Sequence, residues 1–156
     1  VTDVLLAFED FQVGQIHDLG SKTVDRDELL AFARSYDPQP MHLDEEAAKA
    51  SLLGGLAASG WHAGAMFMRL LYDGLLAKTR SFGAPGIDKL AWKRPVRPGD
   101  TLHAVAEVVA TRVSKGRPDL GIVGFRFLVT NALGETVMTV EHSIFIQTRA
   151  HGDITV

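Results

Sequence analysis

The sequence predicts an α+β fold in which a curved antiparallel sheet wraps around one long central helix. Two features of the 156-residue chain carry that expectation. Trp61 to Thr79 is apolar around most of its circumference, the pattern of a helix buried on most sides. Beyond it, between Ile87 and Thr148, four β-branched and aromatic stretches are separated by short turn sequences, which reads as successive hairpins and so as an antiparallel sheet. A helix with only a narrow polar stripe has to be covered, and four consecutive strands are long enough to cover it.

The length fits one domain, expected over residues 1–150 with a frayed tail at 151–156, and is enough to bury a sizeable core. A net charge of -3 and a pI of about 6.1 give no broad basic footprint, so no nucleic-acid partner is expected. The absence of cysteine excludes disulfides, thiolate catalysis and cysteine-ligated metals, and fits a reducing cytoplasm. The stretch VTDVLLAFEDF lacks the basic and long apolar regions of a signal peptide. No run reaches the ~18 apolar residues of a membrane span, so a soluble, cytoplasmic protein is expected.

Taken in order, a turn at Val13-Gly14 precedes a strand over Gln15 to Val24. A helix follows from Asp25 to Tyr36, opened by an acidic relative of the capping box, Asp25 with Glu28, and carrying an apolar face of Leu29, Leu30, Phe32 and Ala33. Pro38 ends it. Asp44 to Ala50 is a short helix with acidic residues in its first turn, where they suit the helix dipole. Leu52 to Gly60 reads as a flexible, glycine-rich approach to the central helix, which at Trp61 to Thr79 would be roughly 28 Å long. Strands are expected at Ile87 to Lys93, Thr101 to Ser114, Gly121 to Thr130 and Thr136 to Thr148.

The candidate site lies between the two short elements. Pro38 and Pro40 push Asp37 and Gln39 into extended backbone and stiffen a loop that carries Asp37 and His42 five positions apart. A carboxylate and an imidazole facing one space can hold a water between them, orient it, and move a proton to or from it. His42-x-Asp44 also has the look of a metal pair, but no further ligand stands at a suitable spacing and Asp44 is the natural cap of the next helix, so no metal is expected.

Asp37-Pro38-Gln39-Pro40-Met41-His42 resembles the signature of the MaoC-like dehydratases, a hotdog-fold group that includes the (R)-specific enoyl-CoA hydratases. That signature runs aspartate, any residue, asparagine, proline, an apolar residue, histidine; here Gln39 stands in place of asparagine, an amide one methylene longer. Ala58-Ser59-Gly60-Trp61 is similar to the segment where the family places a glycine whose N–H helps form an oxyanion hole, and Arg94 to Leu102 is similar to its PVxxGDTL segment. Two helical turns past the glycine, where some members carry serine, this chain has Met68.

The resemblance implies a hotdog-fold homodimer that adds water to, or removes it from, an acyl thioester. The substrate would be a 2-enoyl-CoA or 3-hydroxyacyl-CoA, and coenzyme A would enter only as part of it, with no metal or prosthetic group. Asp37 and His42 would be catalytic, with the Gly60 N–H on the thioester oxygen. Gln39, Trp61 and His62 stand close enough in sequence to touch substrate. Lys93, Arg94 and Arg97 form a basic cluster suited to the phosphates of coenzyme A. Two other functions suit the same fold: a thioesterase, which directs water at the carbonyl carbon, and a non-catalytic acyl-CoA-binding module.

Overall fold

The computed structural model describes residues 4–151. Their backbone forms strands β1 (Ile16–Thr23), β2 (Ser81–Gly83), β3 (Lys89–Trp92), β4 (Thr101–Val113), β5 (Leu120–Thr130) and β6 (Thr136–Gln147), and helices α1 (Arg26–Tyr36), α2 (Glu45–Lys49) and α3 (Gly60–Gly74). The strands make one antiparallel sheet in the order β1-β4-β5-β6-β2, with β3 also pairing to β6. This is the expected hotdog arrangement, a sheet around α3.

Period-two burial along the long strands produces the wrap. Leu102, Ala104, Ala106 and Val108 of β4, Val123, Phe125, Phe127 and Val129 of β5, and Val140, Ile144 and Ile146 of β6 are buried on one face of the sheet. They share one core with Met66, Phe67, Leu70 and Leu71 of α3. Phe67 meets Phe127 edge to face at 4.9 Å between ring centroids.

The helix starts are capped as expected: the carboxylate of Asp25 accepts from Glu28 N at 2.8 Å, and that of Asp44 from Ala47 N at 2.8 Å. None of the described helices is long and apolar enough to cross a membrane.

Two expectations are corrected and one strand is added. The central helix ends at Gly74 rather than Thr79, and a single 3-10 turn, Leu76–Lys78, follows. Leu75 leaves the helical region at φ -139°, ψ -55°, and at Gly74 a Cβ would lie 2.5 Å from the Cα of Leu19, so only glycine lets the helix cross β1 this closely. Leu19 reaches that point because the β1–β4 register shifts between Asp18 and Gly20. Secondly, α3 is not buried on most sides of this chain, since Trp61, Met68 and Tyr72 stand exposed along one face. Thirdly, β2 was not anticipated; its three residues are too few for periodicity to register. Of the tail expected at 151–156, residues 152–156 lie outside the described residues.

Candidate active site

The proline loop does what its sequence requires. Asp37 closes α1 with its N–H on Ala33 O at 2.9 Å and leaves the helical region at φ -149°, ψ 71°. Gln39 is extended, at φ -66°, ψ 139°. Pro40 then opens a 3-10 turn to His42, held by His42 N on Gln39 O at 2.9 Å and Leu43 N on Pro40 O at 3.1 Å. That turn folds the imidazole back over the end of α1. His42 Nε2 lies 3.4 Å from Asp37 Oδ2, and the His42 side chain is only 7% exposed.

Three further contacts define the pair. His42 Nδ1 is 2.9 Å from the Ala57 carbonyl, and because a carbonyl only accepts, Nδ1 carries the proton. In a neutral ring Nε2 therefore offers a lone pair, and it does so toward a carboxylate oxygen. Two acceptors cannot bond to each other, so a proton on Nε2 or a water donating to both has to join them. Asp37 itself is held from both sides: Ser59 Oγ donates to Oδ2 at 2.6 Å and Gln39 Nε2 to Oδ1 at 2.7 Å. These bonds, Ser59 first and Gln39 second, keep the carboxyl below its usual range against the opposing effect of burial, with a smaller contribution from the charge of His42.

Ser59 also caps α3. Its Oγ accepts from Trp61 N at 3.3 Å, and the N–H of Gly60 has no hydrogen-bond partner among the described residues. Gly60 is required by its neighbour: a Cβ there would lie 2.5–2.8 Å from the Trp92 indole, whose Nε1 donates to Gly60 O at 2.9 Å. Trp61 meets Trp92 edge to face at 5.4 Å.

A cavity of about 480 Å³ brings these groups together. Asp37, Gln39, His42, Gly60, Trp61, Lys93 and Arg94 line it, as does Ser59. Lys93 is exposed, and Arg94 pairs with Glu135 at 3.2 Å. Met68 is not on this cavity. Asp44 is occupied as the α2 cap, and among the described residues no three His, Asp or Glu side chains cluster as metal ligands.

Two of the anticipated residues are placed elsewhere. His62 faces away, into a cavity of about 640 Å³ between α1 and α3, stacked on Phe32 at 4.7 Å with Nε2 3.7 Å from Glu28 Oε1. Burial pushes its pKa down against the pull of Glu28. One helical step of about 100° is enough to turn it from the side that Trp61 occupies. Arg97 does not line the site cavity either: its guanidinium donates to the carbonyls of Leu53, Gly55 and Leu56. The Leu52 to Gly60 segment is thus a held wall, not a flexible approach.

Ser59 was not among the residues expected at the site. The available signal was its place immediately before a glycine at the head of the longest helix, the usual position of a capping serine.

Comparison with known proteins places this site in a family. The MaoC like domain model matches residues 10–125. The structure of a MaoC-like dehydratase from Rhodospirillum rubrum superposes with a TM-score of 0.83 at 42% identity, covering 92% of this chain and 98% of that one. The structure of an (R)-hydratase from A. caviae involved in PHA biosynthesis gives a TM-score of 0.69 at 28% identity, covering 87% of this chain and 97% of that one. An (R)-specific enoyl-CoA hydratase of Rhodospirillum rubrum is 29% identical over 152 residues, 94% of this chain and 95% of the relative. With the match running through the aspartate–histidine loop, the serine-capped helix and most of the sheet, this chain belongs to the MaoC-like domain family.

Proposed function

We propose that the protein is a hydratase or dehydratase of acyl thioesters, interconverting a 2-enoyl-CoA and the 3-hydroxyacyl-CoA. The observation that carries this reading is the facing of Asp37 Oδ2 and His42 Nε2 at 3.4 Å on the cavity that Gly60 also lines. It is supported by family membership and by the hydratase and dehydratase names of the relatives.

The chemistry assigns separate tasks to the two side chains. Water attacks C3 of the conjugated thioester, its proton passes to His42 Nε2, and the electron pair of the double bond moves toward the thioester oxygen. The Gly60 N–H, at a helix start, receives that charge. His42 returns a proton to C2, which completes the addition. Asp37, already donated to by Ser59 and Gln39, stays anionic throughout. It accepts a hydrogen bond from the water's second O–H, whose hydrogen stays on the product hydroxyl, and balances the imidazolium. Dehydration is the same path reversed.

Lys93 and Arg94, at the rim, are suited to the phosphates of coenzyme A. Trp61 and Gln39 would contact substrate from the same wall. A second copy of the chain is proposed as the partner, with no metal or prosthetic group needed.

Reaction in heavy-oxygen water with a 2-enoyl-CoA tests the reading by mass spectrometry. Hydration places one labelled oxygen on an intact 3-hydroxyacyl-CoA. A thioesterase would instead place it in a free carboxylate and release coenzyme A, and a binding module would incorporate none.

A further inference from the structure

Arg97 is an unusual cation for a protein surface, because all three of its side-chain hydrogen bonds go to main-chain carbonyls. Nη1 donates to Gly55 O at 2.6 Å and more loosely to Leu56 O at 3.3 Å, and Nη2 donates to Leu53 O. At its start the loop is tied to Ser51, by Leu53 N on Ser51 Oγ at 3.1 Å and Gly54 N on Ser51 O at 3.2 Å, but the carbonyls of residues 53, 55 and 56 turn to Arg97. Gly54 sits at φ +70°, and a Cβ at Gly55 would lie 3.1 Å from Arg97 Nη1, so both glycines let the carbonyls close on the guanidinium. Three carbonyl oxygens turned toward one point repel one another unless a planar, multiply donating cation stands between them. Arg97 is held in turn: its own N–H bonds Asp100 Oδ2 at 2.8 Å, and the neighbouring Val96 carbonyl accepts from Ala58 N at 2.8 Å.

The segment clamped in this way, 53–58, contains Ala57. Its carbonyl is the acceptor for His42 Nδ1, at 2.9 Å. Arg97 at one side and the Val96–Ala58 bond at the other therefore fix where that carbonyl stands.

We propose that Arg97 is a positioning residue for His42: by clamping residues 53–56 it holds the Ala57 carbonyl on Nδ1, which leaves Nε2 as the nitrogen free toward Asp37. The kinetic consequence rests on the proposed hydration chemistry; the effect on the imidazole does not. Arg97 thereby leaves phosphate binding to Lys93 and Arg94, and a lysine at 97 could satisfy one or two of the carbonyls but not the set.

The test is the nitrogen spectrum of the His42 imidazole, followed across a pH series until it no longer changes, in the wild type, Arg97→Ala, Arg97→Lys and Gly55→Ala. The wild type should show one tautomer, with the proton on Nδ1. Arg97→Ala should show a mixture, and Arg97→Lys and Gly55→Ala smaller shifts in the same direction. With 2-enoyl-CoA esters, kcat should fall about 10-fold or more in Arg97→Ala while KM changes little, the pattern of a misplaced catalytic group. If Arg97→Ala does not fold, the two milder variants decide by the same spectrum. An unchanged tautomer in every folded variant overturns the proposal. So does a rise in KM for the coenzyme A ester alone, with kcat and a pantetheine ester unaffected, since that is the signature of a phosphate contact. If no enoyl ester reacts at all, the hydration reading fails, while the spectrum still decides the role of Arg97.

Discussion

Removing the Ser59 hydroxyl tests how Asp37 is held. In Ser59→Ala the carboxylate loses a 2.6 Å donor and α3 loses its cap. A hydrogen bond to a charged group contributes about 1.5–3 kcal/mol, reduced here to about 1–2 because water in the cavity can take the place of the hydroxyl. The cap adds about 0.5 kcal/mol, at the low end of the usual range since its 3.3 Å bond is long. The variant should therefore be about 1.5–2.5 kcal/mol less stable near neutral pH, a fall of about 3–10 °C in melting temperature for a chain of this size. The two contributions separate with pH. The folded-state pKa of Asp37 is depressed, so its stabilising contribution is complete above the unfolded-state value and vanishes as pH falls through the folded one. Deleting the hydroxyl moves the folded value back toward the unfolded. The gap between wild type and variant should then be widest at neutral pH and shrink in acid to the cap contribution of about 0.5 kcal/mol. Urea melts followed by tryptophan fluorescence, at fixed protein concentration across a pH series, measure it. A gap that stays constant with pH would show that Ser59 acts as a cap alone and that its bond to Asp37 does not hold the carboxylate ionised.

Other substitutions test the packing around the site. Gly74→Ala sets a Cβ against Leu19 backbone that cannot swing aside, so it should cost about 1–3 kcal/mol in a denaturant melt without changing kcat. Gly60→Ala should displace the Trp92 indole; a shifted tryptophan emission and a kcat lowered about 10-fold or more are expected, with Trp92→Ala in the same chain restoring part of the stability but not the activity. His62→Phe should leave kcat within about 3-fold of wild type, because His62 packs on Phe32 in a different cavity and reaches no reacting atom in the proposed mechanism.

The antiparallel sheet, the central helix and the aspartate–histidine loop were legible because each rests on local chemistry. Alternating apolar residues specify a strand face, and two prolines specify where α1 stops and how the chain turns to His42. The bond of Ser59 to Asp37 and the partners of Arg97 were not legible, because each depends on what arrives from far along the chain. Ser59 meets Asp37 across 22 positions and Arg97 meets its carbonyls across 41–44, and no local pattern encodes either meeting. Arg97 was read with Lys93 and Arg94 as one basic cluster because sequence shows that a cation is present, not what it faces. The end of the helix at Gly74 was hidden because Leu75 and Leu76 continue the apolar pattern. His62 was assigned to the site by nearness to Gly60, although its place on the helix turns it away.

The proposed addition of one water under the joint control of Asp37 and His42 is read out by the conjugated-thioester absorbance of a panel of 2-enoyl-CoA esters, with a thiol reagent in parallel. Absorbance should fall without release of free thiol in the wild type, and kcat should drop about 100-fold or more in both Asp37→Asn and His42→Ala, each folded as judged by circular dichroism. Free thiol appearing with the absorbance loss, or an Asp37→Asn variant that hydrates at the wild-type rate, would rule out hydration by this pair.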